Sequence, residues 1–381
     1  MALPVYLDYC ATTPVDEQVL NTMLPYFNVY FGNASSKLHG YGWLANDAVV
    51  LARQQVSSLI NARVEEIVFT SGATEAINLA IRSTYDIYST KGNHIITAAT
   101  EHNAVLDTYK YLQKKGAEIT LLPVDGNGNI DMDLLEASIR PTTILITVMA
   151  ANNETGVLHD IAAIGKLAKE KKVLFLCDAV QAAGKIPVDV EAWQVDFLAL
   201  SAHKFYGPKG VGALYIRNRQ PRVSLQAQIT GGGQEAGRRS GTLNVPAIVG
   251  LGHAAMLAQK NLQAESERLK NAVNKLVDAL STYTQIVING DGANRLPNVV
   301  NICFPHEDSN GFISRLSNDL AISTGSACST GKTDPSNVLL AMGISKENAL
   351  KSIRISIGRQ TTDEDIEKAI QAFHKVLKPR I

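Results

Sequence analysis

From Glu65 to Leu214 the chain alternates short, continuous apolar runs with segments whose apolar positions recur at helical spacing. The runs are I-V-F-T (67–70), I-I-T-A (95–98), I-T-L-L (119–122), I-L-I-T-V-M (144–149), V-L-F-L-C (173–177) and F-L-A-L (197–200). A strand that is apolar at every position is buried on both faces, and amphipathic segments between such strands supply the covering helices. The pattern predicts an α/β unit around a mostly parallel sheet. A long helical pattern from Leu251 to Leu280 leaves this unit. Beyond it N-V-V-N-I-C-F (298–304), D-L-A-I-S (319–323), S-I-R-I-S-I (352–357) and a closing helix from Asp363 to Leu377 read as a smaller α+β domain. The opening V-Y-L-D-Y has no partner nearby in sequence and can complete either unit. The expected division is 14–252 for the large domain and 1–13 with 253–381 for the small one, which carries a loop at about 321–334.

At 381 residues the chain is long for one core, in keeping with two domains. Its 36 Lys plus Arg equal its 36 Asp plus Glu, which removes a global charge that would draw it to nucleic acid or an anionic membrane. No apolar run approaches the ~20 residues of a membrane span. The first residues lack the basic-then-apolar layout of a signal peptide, so the cytoplasm is the expected location. Four cysteines, with no C-x-x-C pair and no zinc spacing, give neither a disulfide framework nor a metal site. Cys177 and Cys303 lie in apolar runs and read as core packing, while Cys10, in a turn-like Y-C-A-T-T-P, is ambiguous. Cys328 differs. It sits among small residues, S-T-G-S-A-C-S-T-G (323–331), the composition of an exposed, mobile loop in which a thiol reacts rather than packs.

Polar residues collect just past the apolar runs, where an open parallel sheet binds its ligands. Ser71-Gly-Ala-Thr74-Glu75 follows the first run, and such a strand-to-helix turn offers free N–H groups to a phosphate, although Thr74 alone could be a simple helix cap. Glu101-His102-Asn103, Ala151-Asn152-Asn153-Glu154, Asp178 with Gln181, and Ser201-Ala-His203-Lys204 follow four more. None of the five clusters reads as a contributor to a core. Lys204 at one strand end and Asp178 at another suit pyridoxal phosphate. The lysine would hold its aldehyde as a Schiff base, and the acid would keep the ring nitrogen protonated so that the ring accepts electrons.

The ordered set Y-L-D-Y-x-A-T-T-P, T-S-G-A-T-E-A-x-N, E-H-N-A-V-L, N-N-E-x-G, D-A-x-Q, S-A-H-K-x-x-G-P-K-G, R-S-G-T and S-G-S-A-C resembles the cysteine desulfurases of the IscS/NifS type across nearly the full chain. These are class V, fold-type-I pyridoxal-phosphate enzymes. The resemblance implies a homodimer that turns L-cysteine into L-alanine and moves the sulfur to Cys328 as a persulfide, for acceptor proteins in iron–sulfur cluster assembly or nucleic-acid thiolation. It implies Lys204 as the Schiff-base lysine, Asp178 on the pyridine nitrogen, Gln181 on the ring hydroxyl and His102 stacked on the ring as a proton shuttle. Ala73, Thr74, Ser201 and His203 would hold the phosphate, with Thr242 reaching in from the second subunit. Asn153, also beside the cofactor, and Arg354 would fix the substrate carboxylate, for which a guanidinium fork is suited. Read alone, Arg354 could equally be a solvated strand residue, and Gly231-Gly-Gly233 before Arg238 and Arg239 is a flexible turn that belongs to a subunit contact or merely ends a strand.

Three features depart from that family's pattern. His159 stands where glutamine is usual and is read as a tolerated change, Cys10 adds a thiol at the border of the cleft, and the chain stops soon after its last helix, where the IscS branch usually continues into a tail that engages a scaffold protein. Gly325–Thr333 approaches a phosphate-binding P-loop but has five residues between its glycines instead of four, and Asp334-Pro335 blocks the helix that should follow. The nearer alternative is a class V aminotransferase acting on alanine, serine or glyoxylate, which would not need Cys328. A non-enzymatic scaffold with a decayed site is a third reading, opposed by the intact set of cofactor residues.

Overall fold

All six apolar runs form strands of one sheet in the computed structural model, which describes residues 3–219, 223–307, 311–324 and 334–379. Strand β1 (Val5–Tyr6) and helices α1 (Glu17–Met23), α2 (Pro25–Asn28) and α3 (Gly40–Leu59) open the chain. Strands and helices then alternate: β2 (Ile67–Thr70), α4 (Ala73–Tyr88), β3 (His94–Ala98), α5 (Asn103–Gln113), β4 (Glu118–Leu122), α6 (Met132–Ser138), β5 (Thr143–Met149), α7 (Ile161–Glu170) and β6 (Leu174–Asp178). Strands β7 (Phe197–Ser201) and β8 (Gly212–Ile216) complete a seven-stranded sheet of order β2-β8-β7-β6-β5-β3-β4.

Strand β8 is the one the apolar pattern did not mark, because it opens on Gly212 and Ala213. It runs antiparallel to both β2 and β7, while the other pairings are parallel. An antiparallel strand between β2 and β7 leaves those two parallel to each other, so the carboxyl ends of all six predicted runs share one edge. Gly212 permits a close approach there: a Cβ would lie 2.4 Å from the Leu200 carbonyl oxygen and 2.8 Å from Gly72 Cα. The start of α4 is thereby drawn against the end of β7. Helices α4 and α5 cover one face through Ile77, Ala80, Val105 and Tyr109, and α3 and α7 join the other through Val49, Val56 and Ile164.

After the sheet come α8 (Val245–Tyr283), β9 (Val287–Ile288), β10 (Val299–Cys303), α9 (Gly311–Leu316), β11 (Leu320–Ala321), α10 (Asn337–Ala341), α11 (Lys346–Leu350), β12 (Ser352–Ser356) and α12 (Asp363–Val376). β10 pairs antiparallel with β12 and β9. The opening strand β1 pairs with β11, and Leu7 packs into the second core, so the first residues side with the C-terminal half. Helix α8 serves both cores, through Leu251, Ala254 and Ala258 in the first and Leu269, Leu276 and Leu280 in the second. Full burial of one leucine contributes roughly 1.5–3 kcal/mol, so both ends of this 39-residue rod are fixed by packing rather than by propensity. Among the described residues no helix is long and apolar enough to cross a membrane.

Candidate cofactor and substrate site

At the β2 end, Gly72 caps α4 without a side-chain bond, and Thr74 is the second helical residue rather than the cap. The Ala73, Thr74 and Glu75 amides of this first turn have no intrahelical carbonyl to meet and carry the positive end of the helix dipole. A Cβ at Gly72 would lie 3.9 Å from Ser201 Oγ, which brings the end of β7 over the same turn. Glu75 folds back to accept the Ser71 amide at 2.8 Å and pairs with Arg239 Nε at 2.8 Å, which fixes the turn from outside. His203, one residue before Lys204, meets Thr12 Oγ1 at 3.1 Å. Burial first, then Lys204 and its lysine neighbours, push its pKa down to about 4, so the ring is neutral at pH 7. This end can hold a phosphate.

Lys204 closes a short 3-10 turn directly after β7, and its Nζ donates to the carbonyls of Cys10 at 2.6 Å and Ala11 at 2.8 Å. The Cys10 carbonyl also accepts Gln181 Nε2 at 2.9 Å, so it joins the two predicted cofactor residues. Asp178, the last residue of β6, is buried and accepts the Val180 amide at 3.0 Å. Burial raises its pKa, against that bond and the nearby His102 and Lys204. A desolvated carboxylate of this kind is eased by a cation at hydrogen-bond distance. His102 caps α5, its Nδ1 accepting the Ala104 amide at 3.1 Å. In the neutral tautomer that this bond favours, Nε2 carries the hydrogen, and a second proton can be taken only at Nδ1, at the cost of the cap.

Arg354 is not a solvated strand residue. Ile353 and Ile355 on either side face the second core, and the guanidinium points the other way into burial. It donates to Asp8 Oδ1 at 2.6 Å and to the Asn153 carbonyl at 2.9 Å, while its buried Nε has no partner. A carboxylate arriving here meets a preoriented fork. Glu154 lies beside it and accepts Ser336 Oγ at 2.5 Å, tying the residue that caps α10 to the β5 end. Burial lifts the Glu154 pKa to about 7, against the opposing pull of Ser336 and Arg354.

With a folded Glu154 pKa of about 7 and an ordinary unfolded one near ~4.3, the native state holds the proton longer. The associated stability is complete below the unfolded value and is lost as pH rises through the folded one. Melting temperatures should therefore favour Glu154→Gln over the parent increasingly between about pH 5 and pH 7.5. A difference that does not vary with pH would refute the assignment.

Two of the five strand-end clusters prove partly structural, contrary to the expectation that none serves a core. Glu101 turns inward and accepts the Met149 amide at 2.7 Å, and burial pushes its pKa well above the usual carboxylate range. Asn152 bonds the Thr100 carbonyl and the Glu154 and Thr155 amides, which shapes the turn carrying Asn153. Cys177 and Cys303 are buried as expected, and so is Cys10. His159 lines a cavity beside Leu158 and Arg295, and burial of its ring pushes its pKa down to about 4. Thr242 is exposed on the loop that follows Arg239. Cys328, with Lys332 and Thr333, lies outside the described residues. Sequence reasoning passed over Asp8, Glu154 as a partner of Ser336, and Lys185, whose Nζ meets Gln181. Only Lys185, four residues after Gln181 as on one helical turn, left a signal in spacing.

The site fits pyridoxal phosphate in its donor set: helix-start amides for a phosphate, a lysine for an aldehyde, and a buried acid whose charge calls for a ring cation. Residues 5–369 match the class-V aminotransferase family model. The chain belongs to this family of pyridoxal-phosphate enzymes and, within it, to the cysteine desulfurases. Cysteine desulfurase IscS of Anaeromyxobacter sp. strain K is 49% identical over 388 residues, spanning 100% of this chain and 94% of the relative. A solved NifS-like protein superposes with a TM-score of 0.91 at 36% identity, covering 98% of this chain and 99% of the other. The structure of SspA in complex with cysteine gives 0.83 at 36% identity, over 94% and 99%.

Proposed function

We propose that this chain converts L-cysteine to L-alanine and transfers the sulfur to Cys328 as a persulfide, for delivery to an acceptor in iron–sulfur cluster assembly or nucleic-acid thiolation. The observation that carries the reading is the placement of Lys204, Asp178 and Gln181 at one sheet edge with the Arg354 fork beside them, Cys10 neighbouring both groups. Bound pyridoxal phosphate supplies the electron sink that makes the substrate Cα proton acidic and its sulfur transferable. The chain's own residues do the rest. Arg354 and Asn153 orient the carboxylate, Lys204 moves the Cα proton, and His102 takes a proton at Nδ1 by giving up its cap and returns it. The Cys328 thiolate attacks the substrate sulfur. The carbon–sulfur bond breaks, its electron pair returns to the substrate carbon, and protonation there gives alanine.

A second copy of the chain completes the enzyme in this reading, with Thr242 donated across the interface. Phe27, Phe31, Trp43 and Leu44 leave apolar surface exposed along α2, the segment after it and α3, the kind of patch that marks a protein interface. In this reading 14–252 is the large domain and 1–13 with 253–381 the small one, with α8 running from the first core into the second. Purified holoenzyme given L-cysteine and a thiol reductant should release alanine and sulfide in equal amounts. Keto-acid-dependent amino transfer without sulfide would replace this reading with an aminotransferase.

A further inference from the structure

Lys185 lines a small cavity together with Lys204 and donates to two oxygens of Gln181, the side-chain Oε1 at 3.0 Å and the backbone carbonyl at 3.1 Å. An ammonium can only donate, so the amide atom it meets has to be the oxygen. The opposite end of the amide then presents its NH₂ group. One N–H goes to the Cys10 carbonyl, which also takes Lys204 Nζ. The second is left for the cleft. A flipped amide would set NH₂ against the ammonium and oxygen against the Cys10 carbonyl, unfavourable at both ends. The backbone holds Lys185 to this task. Its amide bonds the Ala182 carbonyl at 3.0 Å, and the preceding Gly184 has φ +73°, where a Cβ would press on Ala258 and Phe205 at 3.0 Å.

We propose that Lys185 is a positioning residue that locks the Gln181 amide with its N–H face toward the cofactor's ring hydroxyl. This rests on the assignment of Gln181 to that hydroxyl. The lock also brings a second positive charge near Lys204. Burial pushes the Lys185 pKa down to about 8, with Lys204 and Arg354 acting in the same direction and Cys10 and Glu265 against it. The ammonium is thus mostly charged at neutral pH and the lock weakens above about pH 8.

A donor on the ring oxygen stabilises its negative charge and weakens its hold on the proton of the nitrogen that joins Lys204 to the cofactor. Losing that donor, or losing a nearby cation, raises the pKa of this nitrogen. The test is a spectrophotometric pH titration of the visible band of purified holoenzyme, which needs no turnover. Lys185→Met should move the midpoint up by about one pH unit and hasten loss of cofactor on dialysis about tenfold. Gln181→Leu should move it the same way, and the double variant should add little, as for residues in one network. Lys185→Arg, which keeps a charged donor, should restore most of the shift. Should Lys185→Met fail to fold, Lys185→Gln removes the charge in a similar shape and is expected to move the midpoint likewise. An unmoved midpoint in Lys185→Met beside a moved one in Gln181→Leu overturns the proposal, as do fully additive shifts. An unmoved midpoint in Gln181→Leu overturns the assignment beneath it.

Discussion

A Lys204→Ala protein should lose covalent attachment of the cofactor and turn over L-cysteine at least about 10⁴-fold more slowly, the scale on which removal of a group that acts on the reacting atoms is felt. The parent is expected to be yellow, and borohydride should fix the cofactor to it irreversibly. The variant should release all cofactor on denaturation after the same treatment. The fold tolerates the change. Lys204 gives up hydrogen bonds to the Cys10 and Ala11 carbonyls, each contributing about 1 kcal/mol, while Gln181 Nε2 still satisfies Cys10. The expected phenotype is therefore a folded, inactive protein. Mass spectrometry of the reduced parent should place the cofactor on Lys204. Modification of Lys185 instead would reverse the roles of the two lysines.

Much of this arrangement was legible in the chain because a parallel sheet announces itself twice. Its strands are mostly apolar runs, although edge strand β4 leaves Leu121 exposed rather than buried on both faces, and its ligand-binding residues follow those strands closely, as Lys204 follows F-L-A-L and Asp178 follows V-L-F-L-C. Strand β8 escaped because its first two residues are the small ones that close packing demands. Arg354 was ambiguous for another reason. Alternation in S-I-R-I-S-I says that the arginine and the isoleucines face opposite ways, but it cannot say that the other side is a second domain rather than water. Asp8 and Asn153 supply that answer, and both lie far off in sequence. Glu101 misled in the opposite direction. It sits in a polar cluster at a strand end, yet its carboxyl is spent on the Met149 amide of a neighbouring strand, a use that no local pattern records. At His102 one bond serves two ends, since the cap of α5 also sets which ring nitrogen carries the hydrogen in the neutral tautomer.

Cys328→Ala should separate sulfur transfer from everything upstream of it. None of the described residues around Lys204, Asp178 or Arg354 is altered, so the variant should keep the cofactor's visible band and still bind L-cysteine, seen as a spectral change on mixing. Sulfide release should fall at least about 10³-fold, because without a thiolate nothing attacks the substrate sulfur. An ordinary thiol is mostly protonated at neutral pH, so the nucleophile has to be formed locally. His102 can accept that proton only at Nδ1, by releasing the Ala104 amide at the start of α5. Intact-protein mass spectrometry after brief exposure of the parent to L-cysteine should show one added sulfur, and peptide mapping should place it on Cys328. Cys10, Cys177 and Cys303 are buried among packed side chains and should remain unmodified. Burial raises the pKa of both Cys177 and Cys303, which keeps their thiols protonated and poor as nucleophiles. Alanine and sulfide release by Cys328→Ala at the parent rate, without added reductant, would refute the relay through this cysteine. Sulfur found on Cys10 instead would move the relay to the border of the cleft, beside Lys204.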